Sequence, residues 1–180
     1  NLTRIAKDYA NIAGFRELVD RIIMPPESQG KIGGKGSGLM LASWIYQRAR
    51  DLDPSLNAIR IPKTWYIASD GIMDFMTFND LEDIFEQKYK EIDVIRGEYP
   101  NIVHLFKNSP FPPDMTKGLA AALDDFGDKP LIVRSSSLLE DRFGTAFSGK
   151  YKSLFLANQG PKPARLAALT DAIAEIYSSV

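Results

Sequence analysis

The sequence predicts an α/β or α+β domain, a helical framework carrying a small mixed sheet, and three observations lead there. Apolar residues recur at helical spacing over several long stretches, short β-prone runs fall between them, and no linker divides the 180 residues. Leu2, Ile5, Tyr9 and Ile12, then Phe15, Leu18, Val19, Ile22 and Ile23, keep a helical period, so one helix broken near Gly14 is expected up to Pro25-Pro26. Residues 27–38 hold five glycines and read as a loop. Helical spacing resumes at Leu39, Leu41, Ala42, Ile45 and Ala49 and is closed by residues 51–54. Ile59 to Pro62 is extended, because a residue before proline avoids the helical region. Residues 64–68 are rich in β-formers and predict a strand, after which Ser69 caps a short helix reaching Phe75 or Met76.

Asn79 or Asp80 opens a further helix whose stripe is Leu81, Ile84, Phe85, Tyr89, Ile92 and Ile95. Residues 97–113, with prolines at 110, 112 and 113, read as irregular. Leu119, Ala122, Leu123 and Phe126 form the face of a helix over 115–126, and Gly127 to Pro130 turns into a strand over 131–134. A second strand is expected over 151–156 and a last helix from Pro163 toward Ile176. Phe75, Met76 and Phe78 read as core, as do Trp44 and Trp65 on the apolar faces of their elements. The first residue is Asn, and the last helical pattern runs to the end of the chain without a cap, so the sequence is expected to be cut from a longer one.

Composition excludes several function classes. Net charge is -1 with a pI near 5.9, which argues against a nucleic-acid surface. There is no cysteine and one histidine, His104, so disulfide frameworks and zinc sites are disfavoured, and His104 reads as structural or superficial. No run is long enough to span a bilayer and no signal-peptide pattern opens the chain, so a cytoplasmic protein is expected.

Two segments carry the chemistry. Leu131-Ile-Val-Arg134 is a β-prone run that delivers an arginine to its end, followed by Ser135, Ser136 and Ser137, the acidic pair Glu140-Asp141, and the turn Phe147-Ser148-Gly149. Arginine stays charged, and its planar fork can bind phosphate oxygens bidentately. Two readings stand for Arg134: a phosphate ligand at a strand end, or a structural ion pair with Glu140 or Asp141. The serines would by default cap turn backbone, and the Phe147 turn is either a phosphate cover or an ordinary hairpin. About a hundred residues earlier, Gly33-Gly34-Lys35-Gly36-Ser37-Gly38 leads into a helix. Glycines let backbone N–H groups approach a ligand, a helix N-terminus favours anions, and Lys35 adds a full charge. Each charged hydrogen bond of that kind contributes roughly 1.5–3 kcal/mol. A flexible helix entrance is the alternative. The spacing is neither a Walker loop, since Gly36 stands in the Ser/Thr position, nor a dinucleotide fingerprint, since Leu39 replaces the third glycine.

These residues resemble the N-terminal nucleotide-binding region of the phosphoenolpyruvate synthase and pyruvate phosphate dikinase family. The resemblance runs from about Gly30 to Val180. It is carried by Gly33-Gly34-Lys35-Gly36 before a helix, Ile61-Pro62-Lys-Thr-Trp65 at a strand entry, Ser69-Asp70 at a helix start, and most specifically Val133-Arg134-Ser135-Ser136, Glu140-Asp141 and Ala146-Phe147-Ser148-Gly149. It implies an ATP-grasp-like fold in which residues 1–180 form one partial domain, the N-terminal lobe, with residues 1–29 as a helical extension. It implies that Lys35 and Arg134 contact ATP phosphates as the catalytic cations. Gly33, Gly34, Gly36, Ser135 and Ser136 would complete the nucleotide site, and Phe147, Ser148 and Gly149 would belong to a loop covering the phosphates. In such an enzyme ATP phosphorylates a histidine on a separate domain, which passes the phosphate to pyruvate. The implied partners are therefore ATP and the phosphohistidine and pyruvate domains of the same parent chain. Magnesium is implied as well, with its ligands beyond Val180, and these residues alone are expected to be inactive. The sequence departs from the family at Ser137, where Ala is usual, and at Lys150-Tyr151, where Gln-Gln or Met-Met is common; residues 82–126 match no family segment. The departures keep two alternatives open: a non-catalytic nucleotide-binding relative, and a sibling dikinase acting on an antibiotic or a glucan.

Overall fold

The first helical stretch divides because Asn11 competes for the backbone. In the computed structural model, which describes residues 2–136 and 152–179, α1 (Leu2–Tyr9) and α2 (Ile12–Val19) are separate helices. Asn11 is extended and its side chain accepts from the Gly14 N–H at 2.7 Å, the geometry of an N-cap. The break falls ahead of Gly14, and Ile22–Ile23 is a strand, β1, where helix was expected. β-branched residues suit a strand, and pairing with a neighbour outweighs their helical spacing.

The glycine segment also corrects the expectation. α3 (Gly34–Arg50) starts five residues before Leu39, so most of the glycines are helical. A 3-10 turn (Pro54–Ala58) follows, then β2 (Tyr66–Ile67), which pairs parallel with β1 in the register Ile22↔Tyr66 and Ile23↔Ile67. α4 (Gly71–Phe78) and a 3-10 segment (Glu82–Tyr89) lead to α5 (Ile92–Asn108). The predicted irregular stretch over 97–113 is therefore helical to residue 108, straight through Gly97 and Pro100. An interior proline costs about 3 kcal/mol. The apolar stripe of Ile102 and Phe106 offsets it, since Phe106 is only 2% exposed and Ile102 packs on the core.

α6 (Pro113–Phe126) begins with proline in its first turn, where the missing N–H has no helical partner to lose. Gly127 (φ 66°) turns the chain into β3 (Leu131–Arg134). Asn158 clamps that turn, donating from Nδ2 to the carbonyls of Gly127 at 2.9 Å and Lys129 at 2.8 Å. β3 pairs antiparallel with β4 (Ser153–Leu156), Leu131 opposite Leu156 and Arg134 opposite Ser153, and α7 (Lys162–Tyr177) closes the fold. The class is α+β. Helices dominate, and the small mixed sheet is realised as one parallel and one antiparallel pair among the described residues.

The core lies between α4, α5, α6 and α7. Phe75 is fully buried, its ring 4.7 Å from Phe111, 5.5 Å from Phe106 and 5.8 Å from Tyr177. Met115, Leu119 and Leu123 of α6 and Leu169 and Ile173 of α7 complete it, and Leu131, Val133 and Leu156 seat the β3–β4 pair on the same mass. Burial pushes the Tyr177 hydroxyl well above its ordinary range, the nearby carboxylates of Asp74 and Asp70 adding to the effect, so it packs as a neutral ring. Phe78, expected in the core, is 49% exposed. Trp65 packs against the core and donates its indole N–H to Asp125 at 2.8 Å. His104 is exposed on α5.

Candidate functional site

The two segments singled out from sequence meet. Gly33 is extended as the N-cap of α3 and offers no side-chain cap. The cap comes from across the fold: Ser136 Oγ, two residues past the end of β3, accepts from the Gly36 N–H at 3.2 Å. A Cβ on Gly33 would collide with the carbonyl and hydroxyl oxygens of Ser136, so this approach of two backbones requires glycine. Gly36 is buried for the same kind of reason, since a Cβ there would meet Ile32 at 2.6 Å and Tyr66 at 3.1 Å. Part of the glycine content is thus spent on packing protein against protein, and the contact it permits joins the entrance of α3 to the exit of β3.

Around that contact the chemistry is uneven in a useful way. The Gly34 N–H lies in the first turn of α3, where no intrahelical acceptor exists, at the partially positive end of a 17-residue helix. Lys35 adjoins it in the same turn and is half-buried. Arg134 ends β3, two residues from Ser136, at most about 7 Å of chain. Its guanidinium is exposed and makes no hydrogen bond or ion pair with another described residue. Ser135 is 9% exposed, and its hydroxyl has no hydrogen-bond partner among the described residues. Phe147, Ser148 and Gly149 lie outside the described residues, as do Ser137, Glu140, Asp141, Lys150 and Tyr151. The ion-pair reading of Arg134 with Glu140 or Asp141 is therefore not tested by these contacts.

The loop that precedes α3 is held by a device the sequence reading did not find. Asp70, taken with Ser69 for a helix start, makes no capping bond to α4. Its carboxylate instead accepts from Ser28 Oγ at 2.8 and 2.9 Å, from the Gln29 N–H at 3.0 Å and from the Gly30 N–H at 2.9 Å. Ser69 likewise turns outward, its hydroxyl accepting from the Lys31 N–H at 2.9 Å. These bonds fix residues 28–31 and so set where α3 begins. An Asp before a helix signals a cap, and nothing local distinguishes a cap from a latch across about forty residues of sequence.

The arrangement suits an anion with several oxygens: first-turn backbone donors at a helix N-terminus, two nearby cations and a hydroxyl with no partner among the described residues. No group of three acidic or histidine side chains able to hold a metal ion occurs among the described residues. No helix of the described residues is long and apolar enough to cross a membrane.

Comparison with known proteins adds one finding. Residues 29–180 match the family described as pyruvate phosphate dikinase, AMP/ATP-binding domain. Neither the curated proteins nor the solved structures contain a match to the chain.

Proposed function

The chain belongs to the pyruvate phosphate dikinase AMP/ATP-binding family, and from that premise we propose that the junction of α3 and β3 holds the phosphates of ATP. Lys35 and Arg134 supply the charge. The N–H groups of Gly33, the N-cap, and Gly34, in the first turn, face the phosphate oxygens, Gly36 fixes the helix entrance through its bond to Ser136, and Ser135 and Ser136 donate or accept at the edge. The observation that supports this reading most is the Gly36 to Ser136 bond, which brings together two segments a hundred residues apart in the sequence.

In the same reading the domain serves a dikinase of phosphoenolpyruvate synthase type, with residues 1–29 as a helical extension of the nucleotide-binding lobe. The family's chemistry transfers a phosphoryl group from ATP to a histidine on another domain and then to pyruvate. What these residues would contribute is positioning and charge. Two fixed cations and a helix terminus stabilise negative charge on the phosphoryl oxygens as they separate from the leaving phosphate. Phe147, Ser148 and Gly149 would cover the same phosphates. Magnesium would be held by carboxylates outside residues 1–180, and residues 1–180 alone would turn over nothing.

The test is Lys35→Ala and Arg134→Ala in the full-length parent. Each is expected to lower ATP-dependent phosphorylation about tenfold or more, the rate equivalent of one charged contact of roughly 1.5–3 kcal/mol. Wild-type rates in both variants reject the proposal.

A further inference from the structure

A cavity of about 540 Å³ is lined by neither the Gly33 to Gly36 segment nor Arg134 to Ser136, and part of its wall comes from residues outside the family-matched region 29–180. Leu18 of α2 and Arg21, just before β1, form one side; Trp44 and Arg50 of α3 form the second; and Arg60, on the extended segment before β2, forms the third. Gly14, Glu17, Leu18 and Arg21 supply that part of the wall. The third wall is fixed in place: Tyr46 of α3 donates its hydroxyl to the carbonyls of Leu56 at 3.0 Å and Ile59 at 2.9 Å.

The charge is one-sided. Four cations line the cavity, Arg21, Arg50, Arg60 and Lys63, against one carboxylate, Glu17. Arg21 is paired with Glu17 at 3.0 Å, and Lys63 with Asp125 at 2.7 Å. Arg50 and Arg60 make no ion pair or hydrogen bond with another described residue. Two exposed guanidinium groups with no ion pair among the described residues, beside an indole in a cleft within the usual 300–1,000 Å³ of small-molecule sites, combine charge recognition with an apolar surface.

We propose that this cavity is a second ligand site, for a small organic oxyanion whose phosphate or carboxylate oxygens are held by Arg50 and Arg60 and whose body packs on Trp44 and Leu18. It shares no lining residue with the proposed ATP site.

The chain has two tryptophans, hence two indole N–H signals in a ¹H–¹⁵N spectrum. The 180-residue chain is titrated with sodium pyrophosphate and with sodium citrate at constant ionic strength. The Trp44 signal is expected to move saturably with a millimolar dissociation constant or tighter for at least one probe, about 4 kcal/mol of binding. The probe that acts tells phosphate from carboxylate recognition. Replacing both cations, Arg50→Gln with Arg60→Gln, is expected to weaken that binding about tenfold or more, and Lys35→Ala to leave it unchanged. Ser43→Glu, which puts a carboxylate into the cavity wall without touching either arginine, is expected to abolish it while the remaining spectrum keeps its dispersion. Absence of a saturable Trp44 shift with both probes overturns the proposal. So does an affinity indifferent to the arginine pair, or one lost in Lys35→Ala instead.

Discussion

Phe75 and Leu123 are fully buried among α4 to α7, whereas α2 buries no residue and α3 buries only Gly36 and Leu41. The C-terminal half is held by interdigitated apolar side chains. The N-terminal half is held largely by polar ties: the Asp70 carboxylate on residues 28–30, Ser136 on α3, and Arg48 of α3 on α1, donating to the Asp8 carbonyl at 2.9 Å and lying 5.4 Å over the Tyr9 ring. The candidate nucleotide site sits where the halves meet. Its cationic strand end stands on the packed half and its helix terminus on the loosely packed one. Local stability is expected to follow the same division, since regions with few buried apolar contacts open at lower free energy.

Phe75→Ala gives the largest effect that bears on this division. Deleting a fully buried ring and leaving its cavity is expected to cost about 3–5 kcal/mol, read as a shift in urea midpoint. Ile12→Ala, at a residue 89% exposed, is expected to change stability by less than about 0.5 kcal/mol. Similar losses in both would abolish the contrast between the halves.

Gly33→Val ranks next and probes the junction itself. A branched side chain against the Ser136 carbonyl forces the two backbones apart, at about 1–3 kcal/mol of overpacking. The informative readout is local: amide exchange at Gly36 should accelerate while exchange at Leu123, deep in α6, slows or speeds only with global stability. Unchanged protection at Gly36 would mean that Ser136 does not cap α3.

The division also governs what the sequence disclosed. The stripe of α6, the last helix from Pro163, the turn at Gly127 and the strands β3 and β4 were legible, because helical period, turn residues and β-prone runs are local signals. Most of α5 was not legible: the prolines at 110, 112 and 113 make the stretch from Gly97 read as irregular, and the helix passes through Gly97 and Pro100 with Ile102 and Phe106 packed on the distant core. β1 was read as helix because Ile22 and Ile23 fit both periods, and its partner Tyr66–Ile67 lies forty-four residues away. The chain segments of the candidate site were legible from residue type. The bonds that assemble it were not, since Ser136 on Gly36 and Asp70 on Gly30 each join positions with no periodic relation.

The smallest expected effect tests whether ion pairs in the packed half matter beside its packing. Glu175 of α7 meets Lys152 at 3.0 Å and Lys107 of α5 at 3.1 Å, and Lys107 also meets Asp171 at 3.0 Å. The hydrogen bonds from Lys152 and then Lys107 hold the Glu175 carboxyl below its usual value of 4.5, against a smaller opposing effect of burial. A carboxylate whose pKa is lower in the folded than in the unfolded state contributes its stability fully above about pH 4.5 and loses it as pH falls through the folded value. The two lysines are raised from 10.5, chiefly by the hydrogen bonds to Glu175 and Asp171, so their share is complete below that value and fades as pH rises through the higher folded one. All three side chains are between 23% and 37% exposed, so the cluster is worth about 0.2–1 kcal/mol per pair after solvent screening. Glu175→Gln is therefore expected to lower stability by about that amount at pH 7, and the gap from wild type should close at a pH below the lowered folded value, where the wild-type carboxylate is protonated. A gap of the same size at both pH values would assign the loss to packing of the α7 side chain, placing Glu175 with the core rather than with the polar ties.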